Sequence, residues 1–241
     1  MPHKFKAEEM TPAEFKEAMD RFPVVILPTG ILEWHADHLP LGLDALKMYG
    51  IAERLARRTG AILLPLQWFG VVGFDEMRGT ITFSRDLVKR VATEFFTNCE
   101  KMGAKVIVFV TGHYGPYQVS TVKEAAQEYM AAHPVRIIAQ PEYEGVTMPN
   151  GETPADHAGK YETSMALALF PGLVQMDKFR QELEIPADYA PRENAWGFRS
   201  PTGMWRFHED LRQAASGQLG EQAIALIIAH LAARIAEELQ A

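Results

Sequence analysis

The chain has 241 residues, 47% of them hydrophobic, and a formal net charge of −7 with its basic residues scattered. That balance excludes a nucleic-acid-binding surface as its main business, and no apolar run reaches the ~20 residues of a membrane span. Cys99 is the only cysteine, so no internal disulfide can form and a reducing, cytoplasmic setting is expected; the opening "MPHKFKAEEM" lacks the apolar core of a secretory signal.

Taken in order, short β-branched runs alternate with longer stretches of helical periodicity. Strands are predicted over Val24–Thr29, Ala61–Pro65, Lys105–Thr111 and Val135–Gln140, with an edge strand over Thr80–Ser84. Helices are predicted over Leu43–Thr59, Arg85–Met102, Pro116–Ala132 and Gly217–Leu239, the last with an apolar stripe through Ala223, Leu226, Ile227 and Leu231. The stretch from Glu142 to Pro154 reads as a long loop, a common place for function. The alternation implies one α/β domain over residues 1–241, a three-layer α/β/α arrangement around a mostly parallel sheet. No G-x-G-x-x-G follows the first strand, which argues against a dinucleotide-dependent dehydrogenase.

Parallel sheets present ligands at the carboxyl ends of their strands, and three polar clusters fall there. After the first strand comes "EWHADHLPLGLD", holding Glu33, His35 and Asp44. Glu33 and His35 are two apart, so an extended segment points both to one face. Asp44 opens a helix, where its carboxylate could bridge two cations or simply cap the helix. Asp37 reads as a turn residue, and His38 as a partner that orients a ligand from behind. "TGHYGP" places His113 after the central strand, and "DHAGKYETS" brings His157 and Glu162. Imidazoles with carboxylates suit zinc or manganese, with iron as a third option, and two such ions could share a nucleophilic hydroxide. His157 is a candidate for proton transfer to a leaving group, against hydrogen bonding at a helix start; Glu162 could cap that helix or reach a metal.

These motifs resemble the signatures of the creatininase (creatinine amidohydrolase) family. "LPTGILEWHADHLPLGLD" is similar to its P-x-G-x-x-E-x-H-G-x-H-L-P-x-x-x-D motif, "TGHYGP" to its N-G-H motif and "DHAGKYETS" to its H-A/G-G-x-x-E-T-S motif. "SPTGMWRFHEDLRQAASGQLGEQ" resembles a drifted form of a fourth. The resemblance implies two divalent metal ions, with Glu33 and His113 on one, His35 on the other and Asp44 bridging. It implies that Tyr114 contacts substrate, that His157 transfers the proton, and that the chain forms homo-oligomers, commonly hexamers, for which Trp205 and Phe207 are candidate exposed apolar residues. Family members carry a Glu two residues after the second-motif His to complete the second metal. Gly115 stands there in this chain, and Glu162 is the candidate replacement.

Trp34 and Ala36 replace the family's Gln and Gly, and Thr111 and Pro116 replace two Asn. The Trp residues that sandwich a flat ring just before the third motif are missing from "NGETPADHAG". The expected activity is therefore hydrolysis of a small polar cyclic or amide substrate other than creatinine, through metal-bound hydroxide. Trp34, Arg78, Lys160 and Tyr114 are the candidate substrate contacts; Arg78, Glu76, Lys160 and Tyr114 favour a hydroxyl-rich molecule over a bare aromatic ring. Opening of an oxidised inositol at a C–C bond is the alternative. A non-catalytic, metal-stabilised binding protein is a further one, supported by Gly115.

Overall fold

The computed structural model describes residues 4–185, 198–200 and 204–240. Its frame is a parallel sheet built on β1 (Val24–Gly30), buried at every position as its unbroken apolar run requires. On one side β1 pairs with β4 (Val106–Thr111), from Val24 opposite Val106 to Thr29 opposite Thr111. On the other it pairs with β2 (Ile62–Leu63) and, higher up, with β3 (Gln67–Trp68). Outside β4 lies β5 (Arg136–Pro141), giving the order β2-β1-β4-β5.

Successive residues of each strand face opposite layers. Val24, Ile26, Val106, Val108, Val110 and Ile138 pack beneath α2 (Leu43–Thr59), α5 (Lys160–Leu169) and α7 (Gly217–Glu238). Val25, Leu27, Ile107, Phe109 and Ile137 pack beneath α1 (Pro12–Arg21), α3 (Arg85–Lys101) and α4 (Pro116–Met130). This is the expected three-layer α/β/α fold. A small antiparallel sheet, β6 (Glu182–Glu184), β7 (Phe198–Ser200) and β8 (Met204–Arg206) in the order β6-β8-β7, and the short α6 (Leu211–Ala214) complete it. By length and composition α7 could cross a membrane, but it buries Ala223, Ile227, Leu231 and Ile235 in the core shared with α5 and the sheet.

The sequence reading places α2 correctly end to end and α3, α4 and α7 to within two residues. It misses α1, although "TPAE" is a capping box: Thr11 accepts from the Glu14 backbone N–H and Glu14 accepts from that of Thr11. Thr80–Ser84 is not a strand; Ile81 and Phe83 each make one isolated bridge, to Leu32 and Val71, so the segment lies across the sheet edge without joining it. Trp205 and Phe207 are buried at 0% and 2% exposure, not exposed as expected, because β8 turns them inward against Trp34 and Phe179. Of the fourth motif, residues 201–203 lie outside the described residues.

The order of the strands fixes where a ligand can sit. The chain leaves β1 through α2 on one face and leaves β4 through α4 on the other, so a crevice opens above their carboxyl ends. Glycines let the start of α2 press onto that crevice. A Cβ on Gly112 would lie 2.1 Å from the Asp44 carbonyl oxygen, and one on Gly30 would lie 2.4 Å from the Ala45 nitrogen. Gly112→Ala is accordingly expected to destabilise the fold by about 2–3 kcal/mol in denaturant titration. Gly172→Ala, with nothing within 4 Å of its added Cβ, should stay within about 0.5 kcal/mol of the parent.

Candidate metal centre

The loop after β1 folds back on itself, the Glu33 N–H donating to the Leu41 carbonyl at 2.8 Å. Ala36 sits in the left-handed region at φ 57, which turns the chain directly after His35. Asp37 is exposed in that turn. The loop returns at Gly42, which starts α2 with no side-chain cap, so Asp44 in the first turn is not occupied as a cap. After β4, the Thr111 hydroxyl donates to the His113 carbonyl at 2.7 Å and the Gln118 amide donates to that hydroxyl at 3.2 Å. Thr111 therefore fixes the turn where the family motif has Asn.

These loops bring the predicted ligands together as two triads that share Asp44. In the first, His113 Nδ1 lies 3.2 Å from Glu33 Oε2 and 3.3 Å from Asp44 Oδ2. In the second, His35 Nε2 lies 3.1 Å from Asp44 Oδ1 and 3.5 Å from Glu162 Oε2. Tetrahedral ligands with bonds near 2.1 Å stand about 3.4 Å apart, so the spacing fits zinc-sized ions. His35 Nε2 and Asp44 Oδ2, one from each triad, are buried without a hydrogen-bond partner among the described residues, which fits atoms left for a cation.

Each ligand atom is aimed from behind. The Glu33 carbonyl accepts from His35 Nδ1 at 3.0 Å, leaving Nε2 for the site. The Val71 carbonyl accepts from His113 Nε2 at 3.0 Å, leaving Nδ1. Glu33 Oε1 accepts the Phe74 N–H at 3.0 Å, an approach that only a glycine at position 73 allows, since a Cβ there would lie 1.9 Å from the same oxygen. Gly115 has ordinary extended dihedrals and brings no side chain.

Sequence reasoning missed three carboxyl and ammonium groups around Glu162. Asp156, not Glu162, caps α5: its carboxylate accepts from the Tyr161 and Glu162 N–H groups at 2.7 and 3.1 Å. Lys47, one helical turn beyond Asp44 and wholly buried, lies 2.7 Å from Glu142 Oε1 and 2.8 Å from Glu162 Oε1. A lysine on the inward stripe of α2 and a carboxylate directly after β5 were the available signals. His38 donates to or accepts from Thr163 Oγ1 at 3.0 Å, which pins the residue beside Glu162 rather than a ligand itself.

The remaining candidates divide. His157 stacks on Phe74 (4.2 Å between centroids) and lies 4.5 Å from the His35 ring, its Nδ1 3.9 Å from Glu33 Oε2. Trp34 joins the aromatic roof with Phe74 and Trp205. The Tyr114 hydroxyl is engaged inside, donating to Glu162 Oε1 at 2.6 Å. Lys160 points away to Glu152 and Glu209, while Arg78 and Glu76 are exposed outside the cluster.

Electrostatics point the same way. Glu33, Asp44, Glu142 and Glu162 are buried with Lys47 as the sole buried ammonium among the described residues. Burial alone would lower the His35 pKa, but Asp44, Glu162 and Glu33 hold it up at about 9. Burial works likewise on His113 and is outweighed by Glu33 and Asp44, which raise it well above the ordinary value. Burial would raise Asp44, yet His35 and His113 keep it far below the usual carboxylate range. Protons on the imidazoles thus do what divalent cations would do. Burial and the neighbouring His35 push His157 down to about 3, so its ring is neutral.

Residues 8–235 match the family model Creatininase, described as creatinine amidohydrolase. The creatinine amidohydrolase of Pseudomonas putida is 26% identical over 175 residues, 64% of this chain and 67% of that protein. The 3-dehydro-scyllo-inosose hydrolase of Thermotoga maritima is 24% identical over 181 residues, 70% of this chain and 58% of its own length. The mycofactocin precursor peptide peptidase of Mycolicibacterium smegmatis is 27% identical over 184 residues, 73% of this chain and 70% of that one. A solved creatininase shares the fold with a TM-score of 0.77 at 22% identity over 97% of both chains, and creatininases described as a Zn–Zn type and as an Mn form give 0.75 each. With its fold, its ordered motifs and its family match in agreement, the chain belongs to the creatininase family of hydrolases.

Proposed function

We propose that this protein is a binuclear-metal hydrolase, using zinc or manganese, that opens or cleaves a small polar cyclic or amide substrate. The observation that carries it is Asp44, whose two oxygens face different triads of buried ligands. Glu33, Asp44 and His113 would hold one ion, and His35, Asp44 and Glu162 the other. Bound there, such ions polarise a carbonyl and make water a nucleophile near neutral pH. His157, neutral and beside Glu33 and His35, is placed to take the proton of the attacking water and return it to the leaving atom. The aromatic roof of Trp34, Phe74 and Trp205 excludes bulk water from that exchange.

Creatinine is a poor candidate, because the tryptophans expected before the third motif are missing. The relatives act, by their names, on a lactam, an oxidised inositol and a peptide. The inositol reading is the second one we retain: its namesake aligns over 70% of this chain, and the bond broken there would be C–C rather than C–N. We further propose, on family resemblance, a cytoplasmic homo-oligomer, commonly a hexamer.

Purified protein should carry about two divalent ions per chain by elemental analysis. His35→Ala and Glu162→Gln should each lower this towards one and Asp44→Ala should disturb both sites. The metal-loaded parent should hydrolyse at least one member of a panel of lactams, amides and keto-inositols and lose that activity to a chelator. One ion in the parent with full activity in His35→Ala would refute the binuclear reading.

Metal-free protein should respond to pH through His35. Its folded value of about 9 lies above the unfolded value of 6.5, so this contribution to stability is complete below about 6.5 and is lost as pH rises through about 9. Denaturation midpoints of chelated protein should therefore fall across that window, while the metal-loaded protein, whose imidazoles carry no such proton, stays level; parallel curves would count against the site. Light scattering at micromolar concentration should report a mass of several chains, and a monomer would refute assembly.

A further inference from the structure

Lys47 is an expensive residue to keep where it is. Its side chain has no exposure, and a buried ammonium is tolerated only when paired and hydrogen-bonded. It belongs to the same helical turn system as Asp44, three residues on, so one rigid element carries both groups. Its ammonium meets Glu142 at 2.7 Å, Glu162 Oε1 at 2.8 Å and the Tyr114 hydroxyl at 3.2 Å, and it lies 4.5 Å from the centre of the Tyr114 ring. Glu142, directly after β5 and fully buried, balances its charge.

The consequence falls on Glu162. Its Oε1 accepts from Lys47 and from Tyr114, the latter at 2.6 Å. Its Oε2 accepts the Ala158 N–H at 2.7 Å and faces His35 Nε2 at 3.5 Å. A glutamate has three rotatable side-chain bonds and two equivalent oxygens; two donors on Oε1 remove that freedom and present Oε2 alone to the site. Gly115 offers no ligand, so the second triad depends on how well Glu162 is held.

We propose that Lys47, balanced by Glu142 and assisted by Tyr114, is a positioning residue that clamps Glu162 with one oxygen toward His35 and Asp44, and that filling of the second metal subsite depends on this clamp. The inference rests on the reading above that Glu162 serves that subsite. A Lys47 that merely stabilised the fold would lower stability without favouring one subsite over the other.

Zinc titration against a competing chelator, paired with the visible absorption of the cobalt-substituted protein, separates the two roles. The parent should bind two ions; a single ion there would overturn the binuclear reading and this inference with it. Lys47→Met combined with Glu142→Gln removes the clamp and leaves the net buried charge unchanged. It should bind the first ion with unchanged affinity and the second about 10–100-fold more weakly, with loss of the second half of the cobalt spectrum. Glu142→Gln alone, which keeps Lys47, should bind both. If the parent binds two ions and the double variant binds both with parental affinity, the proposal is wrong while the binuclear reading stands. Should the double variant fail to fold, Tyr114→Phe removes one arm of the clamp and keeps the ring; selective weakening of the second ion supports the proposal, and unchanged affinity overturns it.

Discussion

Concentrated buried negative charge governs this structure. Glu33, Asp44 and Glu162 crowd their oxygens around two imidazoles at separations of 3.1 to 3.5 Å. Like charges so close in a low-dielectric interior repel strongly, and each unpaired ion would cost several kcal/mol. The arrangement persists only if cations sit among the carboxylates. Two protonated histidines can do this in metal-free protein, and the divalent ions proposed for the two triads would do it in the loaded protein. Much of the surrounding fold reads as support for that crowding: Gly30 and Gly112 let the first turn of α2 touch the strand ends, and Gly73 lets a loop touch Glu33.

The aim of each ligand atom is fixed in advance. Backbone carbonyls choose the tautomers of His35 and His113, and a backbone N–H takes the oxygen of Glu33 that does not face the site. Such supports fix which atom of each side chain faces the site. Two alanines at positive φ, Ala36 and Ala158, follow His35 and His157 directly. Backbone strain of about 1–2 kcal/mol at each is held by the packing around the site, where strained residues commonly gather. Above them Phe74 stacks on His157 and Trp205 meets it edge-on, so the imidazole lies against apolar walls instead of bulk solvent.

The departures from the family pattern find physical answers of unequal kind. Thr111 replaces an Asn and still locks the His113 turn through its hydroxyl. Ala36 replaces a glycine and accepts the left-handed conformation at a penalty. Gly115 has no substitute at its own position; the carboxylate that faces His35 instead is Glu162 of α5, a helix in the same layer as α2, and it arrives already bound to Lys47.

The sequence alone determined the layered α/β frame, because alternation of apolar strands with amphipathic helices leaves few other ways to bury both. It also singled out Glu33, His35, Asp44 and His113 as candidates, since strand ends in a parallel sheet converge on one rim, and the folded chain gathers these four side chains. It could not place Tyr114, whose position beside His113 says nothing about which way its hydroxyl turns, nor Lys160, whose ammonium pairs with Glu152 and Glu209. Trp205 and Phe207 looked exposed because β8 is too short to show a periodicity. Lys47, Glu142 and Glu162 are separated by 95 and 115 residues from the first to each partner, and nothing local marks them as a set. Pairing of buried charges is decided by which side chains the folded layers bring within hydrogen-bond distance, and only the tertiary structure fixes that.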